Sequence, residues 1–185
     1  MTLSQSSART TTMRQENDAY PTPTPIIETM LDNLRDWWGR PTGEFNEPHI
    51  WEPCAGDGRL VRALEGRGYK VTASDIATGQ NFFTFTQAQS DVLITNPPFK
   101  RIRQFIDHAF EIGVVQMALV APERLWSCGK GSEQIQRHKP ALWANLSWRE
   151  DYLNKGGHPD RALSVGVWDS PCALFTCYQV WDRRL

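Results

Sequence analysis

The segment His49-Ile50-Trp51-Glu52-Pro53-Cys54-Ala55-Gly56-Asp57-Gly58 passes from a short apolar run straight into a glycine-rich turn. His49 to Glu52 reads as a strand, and the glycines permit a tight turn and close backbone approach to a ligand. Leu60, Val61 and Leu64 then share one helical face, and Gly66 and Gly68 end the pattern. Tyr69 to Ser74 is a second strand, closing at Asp75. Strand, helix, strand in that order implies a parallel β-α unit. The order recurs downstream. Asp91 to Thr95 is a buried-type strand, Ile102, Phe105, Ile106, Ala109 and Phe110 mark an amphipathic helix, and Val114 to Val120 is another buried strand closing at Ala121-Pro122. Leu163 to Trp168 and Ala173 to Trp181 alternate more like antiparallel strands. The expected fold is α/β: a single doubly wound, mostly parallel sheet with an antiparallel edge hairpin.

Upstream, Tyr20-Pro21-Thr22-Pro23-Thr24-Pro25 is a stiff extended entry, because each proline disfavours helix in the residue before it. Thr24 is placed to cap a helix with Pro25 at its first position. Ile26, Ile27, Met30, Leu31, Leu34 and Trp38 then recur at helical spacing. Gly39 to Pro48 reads as a loop, Ile76 to Ser90 as short and irregular, and Gly129 to Pro140 as a loop with room for one helical turn. Residues 1–19 are polar and read as a flexible tail, leaving 20–185 as one domain.

The 185 residues carry 40% apolar side chains and eight Trp, enough to form a core and to exclude wholesale disorder. Twenty basic residues face 21 acidic ones, for a net charge of -1. A generally polycationic protein is excluded, but a local basic face is not. No apolar run approaches the roughly 18 residues of a membrane span, and the start lacks the apolar region of a secretory signal. Cys54, Cys128, Cys172 and Cys177 contain no CxxC pair, and His49, His108, His138 and His158 are scattered. No metal site and reduced thiols in the cytoplasm are therefore expected.

In an open α/β sheet, ligands bind beyond the carboxyl ends of the strands. Three motifs fall there. The turn Glu52 to Gly58 is either a ligand cradle or a plain strand-to-helix turn. It is not a P-loop, since no Gly-Lys-Ser/Thr follows, and Val61 stands where a dinucleotide fingerprint has its third glycine. Asp75, at a strand end, is either a ribose-hydroxyl acceptor or a cap for the next turn. The third motif, Asn96-Pro97-Pro98-Phe99, directly follows the strand Asp91 to Thr95. An exocyclic amine is a poor nucleophile because its lone pair is delocalised into the ring. If the Asn96 side-chain oxygen and the Pro97 carbonyl each accept one N–H, the lone pair stays on nitrogen and can meet a methyl group. The prolines preorganise the two acceptors, and Phe99 offers a face for a planar base.

On these residues the chain resembles the S-adenosylmethionine-dependent amino-methyltransferases, above all the N6-adenine DNA methyltransferases with a class I, Rossmann-like domain. The resemblance covers roughly Asp18 to Trp181. It implies that Glu52, Pro53, Cys54, Ala55, Gly56 and Gly58 hold S-adenosylmethionine, with Asp75 on the ribose and Ile76 beside it. Asn96, Pro97, Pro98 and Phe99 match the catalytic motif, and Asn96 also borders the cofactor. Tyr20, Thr22, Pro23, Thr24 and Pro25 match an element that touches the methionine part of the cofactor. Asn81-Phe82 stands where the family often has Asp-Phe or Asp-Leu near the cofactor adenine, so any bond from Asn81 lacks charge assistance. Core packing is the other reading of Phe82, Phe83 and Phe85. The larger enzymes of the family carry a target-recognition domain for which this sequence has no room, which implies a compact, phage-like enzyme in a bacterial or phage-infected cytoplasm. A cytosine-C5 mechanism is set aside, because the catalytic loop lacks its nucleophilic Cys.

Lys100, Arg101 and Arg103 follow the catalytic motif, and Arg124, Lys130, Arg137, His138 and Lys139 follow the strand ending at Ala121. Both groups are expected to border the active-site edge and hold phosphates, of DNA first of all. Trp126 is a stacking residue or a core-edge residue, and His158-Pro159 and Trp168 lie where the family closes its base pocket. The expected activity is methyl transfer to adenine N6 in DNA, and the missing recognition domain leaves room for a protein partner in target recognition. RNA adenine, a protein glutamine amide, or a non-enzymatic cofactor- or nucleic-acid-binding module are the alternatives.

Overall fold

The computed structural model describes residues 21–38, 49–127, 129–149, 162–169, 173 and 176–183. Tyr20, Cys128, His158-Pro159, Cys172, the tail before Tyr20 and the expected loop Gly39 to Pro48 lie outside them. The elements in chain order are α1 (Thr24–Trp38), β1 (His49–Glu52), α2 (Arg59–Glu65), β2 (Lys70–Ala73), β3 (Val92–Thr95), α3 (Ile102–Glu111), β4 (Gln116–Pro122), α4 (Gly129–Arg137), β5 (Leu142–Leu146), β6 (Leu163–Trp168) and β7 (Cys177–Trp181).

The strands form one sheet in the order β2-β1-β3-β4-β6-β5-β7. β1 pairs in parallel with β2 and β3, and β3 with β4. β6 runs antiparallel to both β4 and β5, and β7 closes the edge parallel to β5. The mostly parallel sheet with an antiparallel pair is as expected. The alternation in Ala173 to Trp181 has another cause, however: β7 is an edge strand whose Tyr178 and Val180 are exposed.

Alternate residues of the central strands feed two cores. Ile50, Ile94, Ala118 and Val120 face α1 and α2, while Trp51, Leu93, Met117 and Leu119 face α3. Both faces of the sheet are thus covered, which is why these strands read as continuous apolar runs. α1 begins one residue earlier than its cap was expected: the Pro23 carbonyl accepts the N–H groups of Ile26 and Ile27. Ile26, Ile27, Met30, Leu31 and Leu34 are all buried.

Two elements depart from the sequence reading. Gly129 to Arg137 is a helix, not a loop, although it holds two glycines and one aliphatic residue. Tertiary contact compensates for poor propensity. A Cβ at Gly131 would lie 2.7 Å from the Leu125 carbonyl oxygen, so only glycine lets α4 approach that turn. Buried Gln134 donates to the Arg103 carbonyl at 2.7 Å, tying α4 to α3. The second element is β5, five residues whose Asn145 and flanking polar residues hide a strand. No described helix is long and apolar enough to cross a membrane.

Candidate active site

β1, β2 and β3 run in parallel, so Glu52, Asp75 and Asn96 follow one another along one edge of the sheet. A cavity of about 560 Å³ opens there, within the size range of small-ligand sites. Its wall includes Thr22, the whole run from Glu52 to Asp57, Asp75, Ile76, Asn81, Phe82, Asn96 and Pro98. The two short motifs and the entry segment, far apart in sequence, thus share one site.

The turn after β1 is shaped by two glycines in the left-handed region, Gly56 at φ +51° and Gly58 at φ +78°. Side chains rarely adopt that conformation. Gly58 then starts α2. The turn is fixed to β2: Ala55 N–H donates to the Ser74 carbonyl at 3.1 Å, and Gly56 N–H to Asp75 Oδ2 at 2.8 Å. Asp75 Oδ1 accepts from Ala77 N–H at 2.8 Å. Of the two readings of Asp75, the cap on the following turn is observed, and the residue also lines the cavity. Each carboxylate oxygen keeps a further lone pair, so these contacts leave acceptor capacity for a ligand.

Glu52 is 1% exposed. Its Oε1 accepts from the Cys54 N–H at 2.9 Å and from the Thr95 hydroxyl, whereas Oε2 is buried with no hydrogen-bond partner among the described residues. Burial is the main cause that raises this carboxyl from 4.5 to about 8; the bonds from Thr95 and Cys54 oppose the shift, and Asp75 adds to it. An orphaned buried carboxyl oxygen in a cavity wall suits a cationic ligand group, whose charge would favour ionisation. Burial, with Glu52 and Asp75 adding their charge, also pushes the Cys54 thiol above its usual range, so it is no thiolate nucleophile.

Asn96 leaves β3 with its Nδ2 donating to Thr22 Oγ1 at 3.0 Å. Pro97 is buried and Pro98 lines the cavity, while Phe99 packs half-buried against the α1 side of the core. At the other end, Asn81 Oδ1 accepts from Phe83 N–H at 3.1 Å and so caps its own turn. Phe82 is both a core residue and a wall residue: it stacks on Phe105 at 3.9 Å between centroids, and both line the cavity. The sequence reading did not single out Asp57, Arg59, Leu60, Ala77 or Phe105 as wall residues. Arg101, expected on nucleic acid, also lines the cavity, with its guanidinium 3.6 Å above Phe83. Pro23, Thr24 and Pro25 lie beyond the wall, in the entry to α1.

The basic residues divide. Lys100 lines the cavity, and Lys130 is exposed at the start of α4. Arg103 turns inward to the Leu125 carbonyl. Arg137 and Lys139 do not border the cavity. α3 starts beside it, and at 1.5 Å per residue Phe110 lies about 12 Å further down the helix. His138 stacks on Phe110, Arg137 pairs with Asp107 at 3.2 Å, and the His138 carbonyl accepts from Trp168 Nε1 at 2.9 Å. Trp168 pairs with Met117, at the start of β4. Arg137, His138 and Lys139 therefore lie toward the opposite edge of the sheet, because α4 runs back antiparallel to β4. Trp168 goes with them and is fully buried, which removes it from any base pocket. Trp126 is a core-edge residue, set edge-on to Trp143 at 5.2 Å.

Solved structures share this fold. A putative class I S-adenosylmethionine-dependent methyltransferase from Listeria monocytogenes superposes with a TM-score of 0.57 at 9% identity, over 86% of this chain and 65% of its own. The chain has the class I methyltransferase fold. Within that fold, the cavity lies at the carboxyl ends of the parallel strands, where such sheets bind ligands. The type IIG restriction endonuclease BpuSI matches with a TM-score of 0.62 at 14% identity, over 83% of this chain and 26% of its own. The chain thus spans about a quarter of the length of the restriction endonuclease and about two thirds of that of the Listeria monocytogenes protein. A putative RNA methyltransferase from Pyrococcus horikoshii matches with a TM-score of 0.57 at 15% identity, over 83% of this chain and 87% of its own. No protein-family model and no curated protein matches the sequence.

Proposed function

We propose that the protein transfers a methyl group from S-adenosylmethionine to the N6 amine of adenine, in DNA first of all. One observation carries the reading: Asn96 and Pro98, of the Asn-Pro-Pro-Phe motif, share a cavity wall with the glycine turn and Asp75. The residues present fit the cofactor. Asp75 suits the ribose hydroxyls, Glu52 Oε2 the methionine ammonium, and Ile76 with Phe82 and Asn81 the adenine. When bound, the cofactor supplies a methyl group made electrophilic by its sulfonium. Asn96 and the Pro97 carbonyl accept the N–H groups of the target amine and keep its lone pair on nitrogen, as rigid acceptors that need no reorganisation. The N–C bond would form as the methyl–sulfur bond breaks to leave an uncharged thioether, and the methylated amine would then release one proton to solvent water. Lys100 in the cavity wall and Lys130 near the same sheet edge are the basic side chains assigned to backbone phosphates.

RNA adenine is the second reading, favoured by the close match in extent to the Pyrococcus horikoshii protein. The test is incubation with labelled methyl donor and DNA, RNA and protein acceptors, followed by nucleoside analysis. N6-methyladenine from DNA is expected. Label found only in RNA selects the second reading, and label in protein alone overturns both.

A further inference from the structure

Thr22 and Asn96 lie 74 positions apart, yet Thr22 Oγ1 is 3.0 Å from Asn96 Nδ2. We propose that Thr22 is a positioning residue, whose hydroxyl holds the Asn96 amide in the orientation that presents its oxygen to the acceptor amine. The proposal rests on the reading of Asn96 given above. An asparagine amide carries an acceptor on one side and a double donor on the other, and a half-turn of the group exchanges them. Only the oxygen can accept a hydrogen from the target amine; the NH2 group in its place would set donor against donor. A threonine hydroxyl can donate as well as accept; in this structure it accepts from Nδ2, which sets the oxygen on the other side of the amide.

The partner hydroxyl is itself held. Thr22 is 8% exposed and precedes Pro23, which restricts its backbone. The Pro23 carbonyl starts α1, and α1 is anchored by the buried side chains of Ile26, Ile27, Met30, Leu31 and Leu34. The hydroxyl therefore sits on a rigid element, as a support for a reacting group must. On the other side, Pro97 and Pro98 stiffen the chain that carries Asn96.

The test uses the full chain with Thr22→Val, Thr22→Ser, Asn96→Ala and the double variant Thr22→Val/Asn96→Ala. The first readout is NMR of protein labelled with 15N-asparagine, with the Asn96 amide identified by its disappearance in Asn96→Ala. Slow solvent exchange of that NH2 group is expected in the natural chain and in Thr22→Ser, and fast exchange in Thr22→Val. The second readout is single-turnover methyl transfer to DNA at saturating S-adenosylmethionine, with cofactor Kd by calorimetry. Thr22→Val is expected to slow transfer tenfold or more once the cofactor is saturating. Thr22→Ser is expected to recover most of the rate, and Thr22→Val to add nothing in the Asn96→Ala background. Slowing of equal size in both backgrounds, or unchanged exchange of the Asn96 amide in Thr22→Val, overturns the proposal. Natural transfer rates in Thr22→Val while Asn96→Ala is impaired overturn the role of Thr22 alone. Full transfer by Asn96→Ala overturns the reading of Asn96 itself.

Discussion

Glu52 and Thr95 end neighbouring parallel strands, and the Thr95 hydroxyl donates to Glu52 Oε1 inside the protein. Both side chains are essentially inaccessible, at 1% and 0% exposure. The carboxyl thus titrates in a place where its charge is poorly solvated.

That placement makes stability depend on pH. The folded protein holds the Glu52 proton up to about 8, whereas the unfolded chain releases it near 4.5. Between those values the native state binds more protons than the unfolded state, so the Glu52 contribution destabilises progressively as pH rises. Thermal melting of the ligand-free protein from pH 5 to 9 is expected to show this decline. Glu52→Gln, which cannot ionise, should flatten it, and an identical slope in that variant would remove Glu52 as the cause.

Asp75 holds the glycine turn and lines the cavity. Asp75→Ala removes the acceptor for Gly56 N–H and the cap for Ala77 N–H. Cofactor affinity is expected to fall by roughly 1.5–3 kcal/mol, the range for hydrogen bonds to a charged group. The missing cap should cost about 1 kcal/mol of stability as well. Calorimetry and denaturant unfolding measure the two separately, and unchanged affinity would remove Asp75 from the cofactor site.

Placement of the basic residues separates two pairs of variants. Lys100 and Lys130 lie toward the cavity edge of the sheet, Arg137 and Lys139 toward the far edge. Replacing Lys100 and Lys130 by Ala should weaken DNA binding for all sequences alike. It should also reduce the slope of log K against log salt by about 2, near 0.9 for each phosphate that is no longer neutralised. The same change at Arg137 and Lys139 should leave the slope unaltered. The reverse pattern in salt titrations would place the nucleic acid on the other side of the molecule.

Gly166 reports on packing away from the site. A Cβ there would fall 2.7 Å from Trp168 and 2.8 Å from Trp143, both ring atoms of buried residues. Gly166→Ala should destabilise the protein by about 1–3 kcal/mol through overpacking, with an unchanged m-value in denaturant. A neutral effect would show that the tryptophan cluster is free to move.

Much of the architecture was legible locally. The runs His49–Glu52, Asp91–Thr95 and Val114–Val120 are short, apolar and end in turn chemistry. Their order with the helical patterns between them implies a parallel sheet before any contact is known. α4 and β5 were not legible, because what stabilises them is remote. Gly131 and Gln134 make a helix only against Leu125 and Arg103, and Leu142 to Leu146 becomes a strand only between β6 and β7.

The site divides in the same way. Local sequence was enough to show which groups stand at strand ends: Glu52, Asp75 and Asn96 each close a strand-like run, and in a parallel sheet such residues share one edge. What each of them touches was settled by the assembled fold. It set Thr22 against Asn96 and the Gly56 N–H against Asp75, and it buried the Glu52 carboxyl. It also carried Arg137 and Lys139 away from the cavity, because α4 runs antiparallel to the strand before it. The physical reason is range. Turn chemistry and hydrophobic period act over a few residues, whereas hydrogen-bond partners, burial and the direction of a returning helix depend on parts of the chain that meet only when the sheet is assembled.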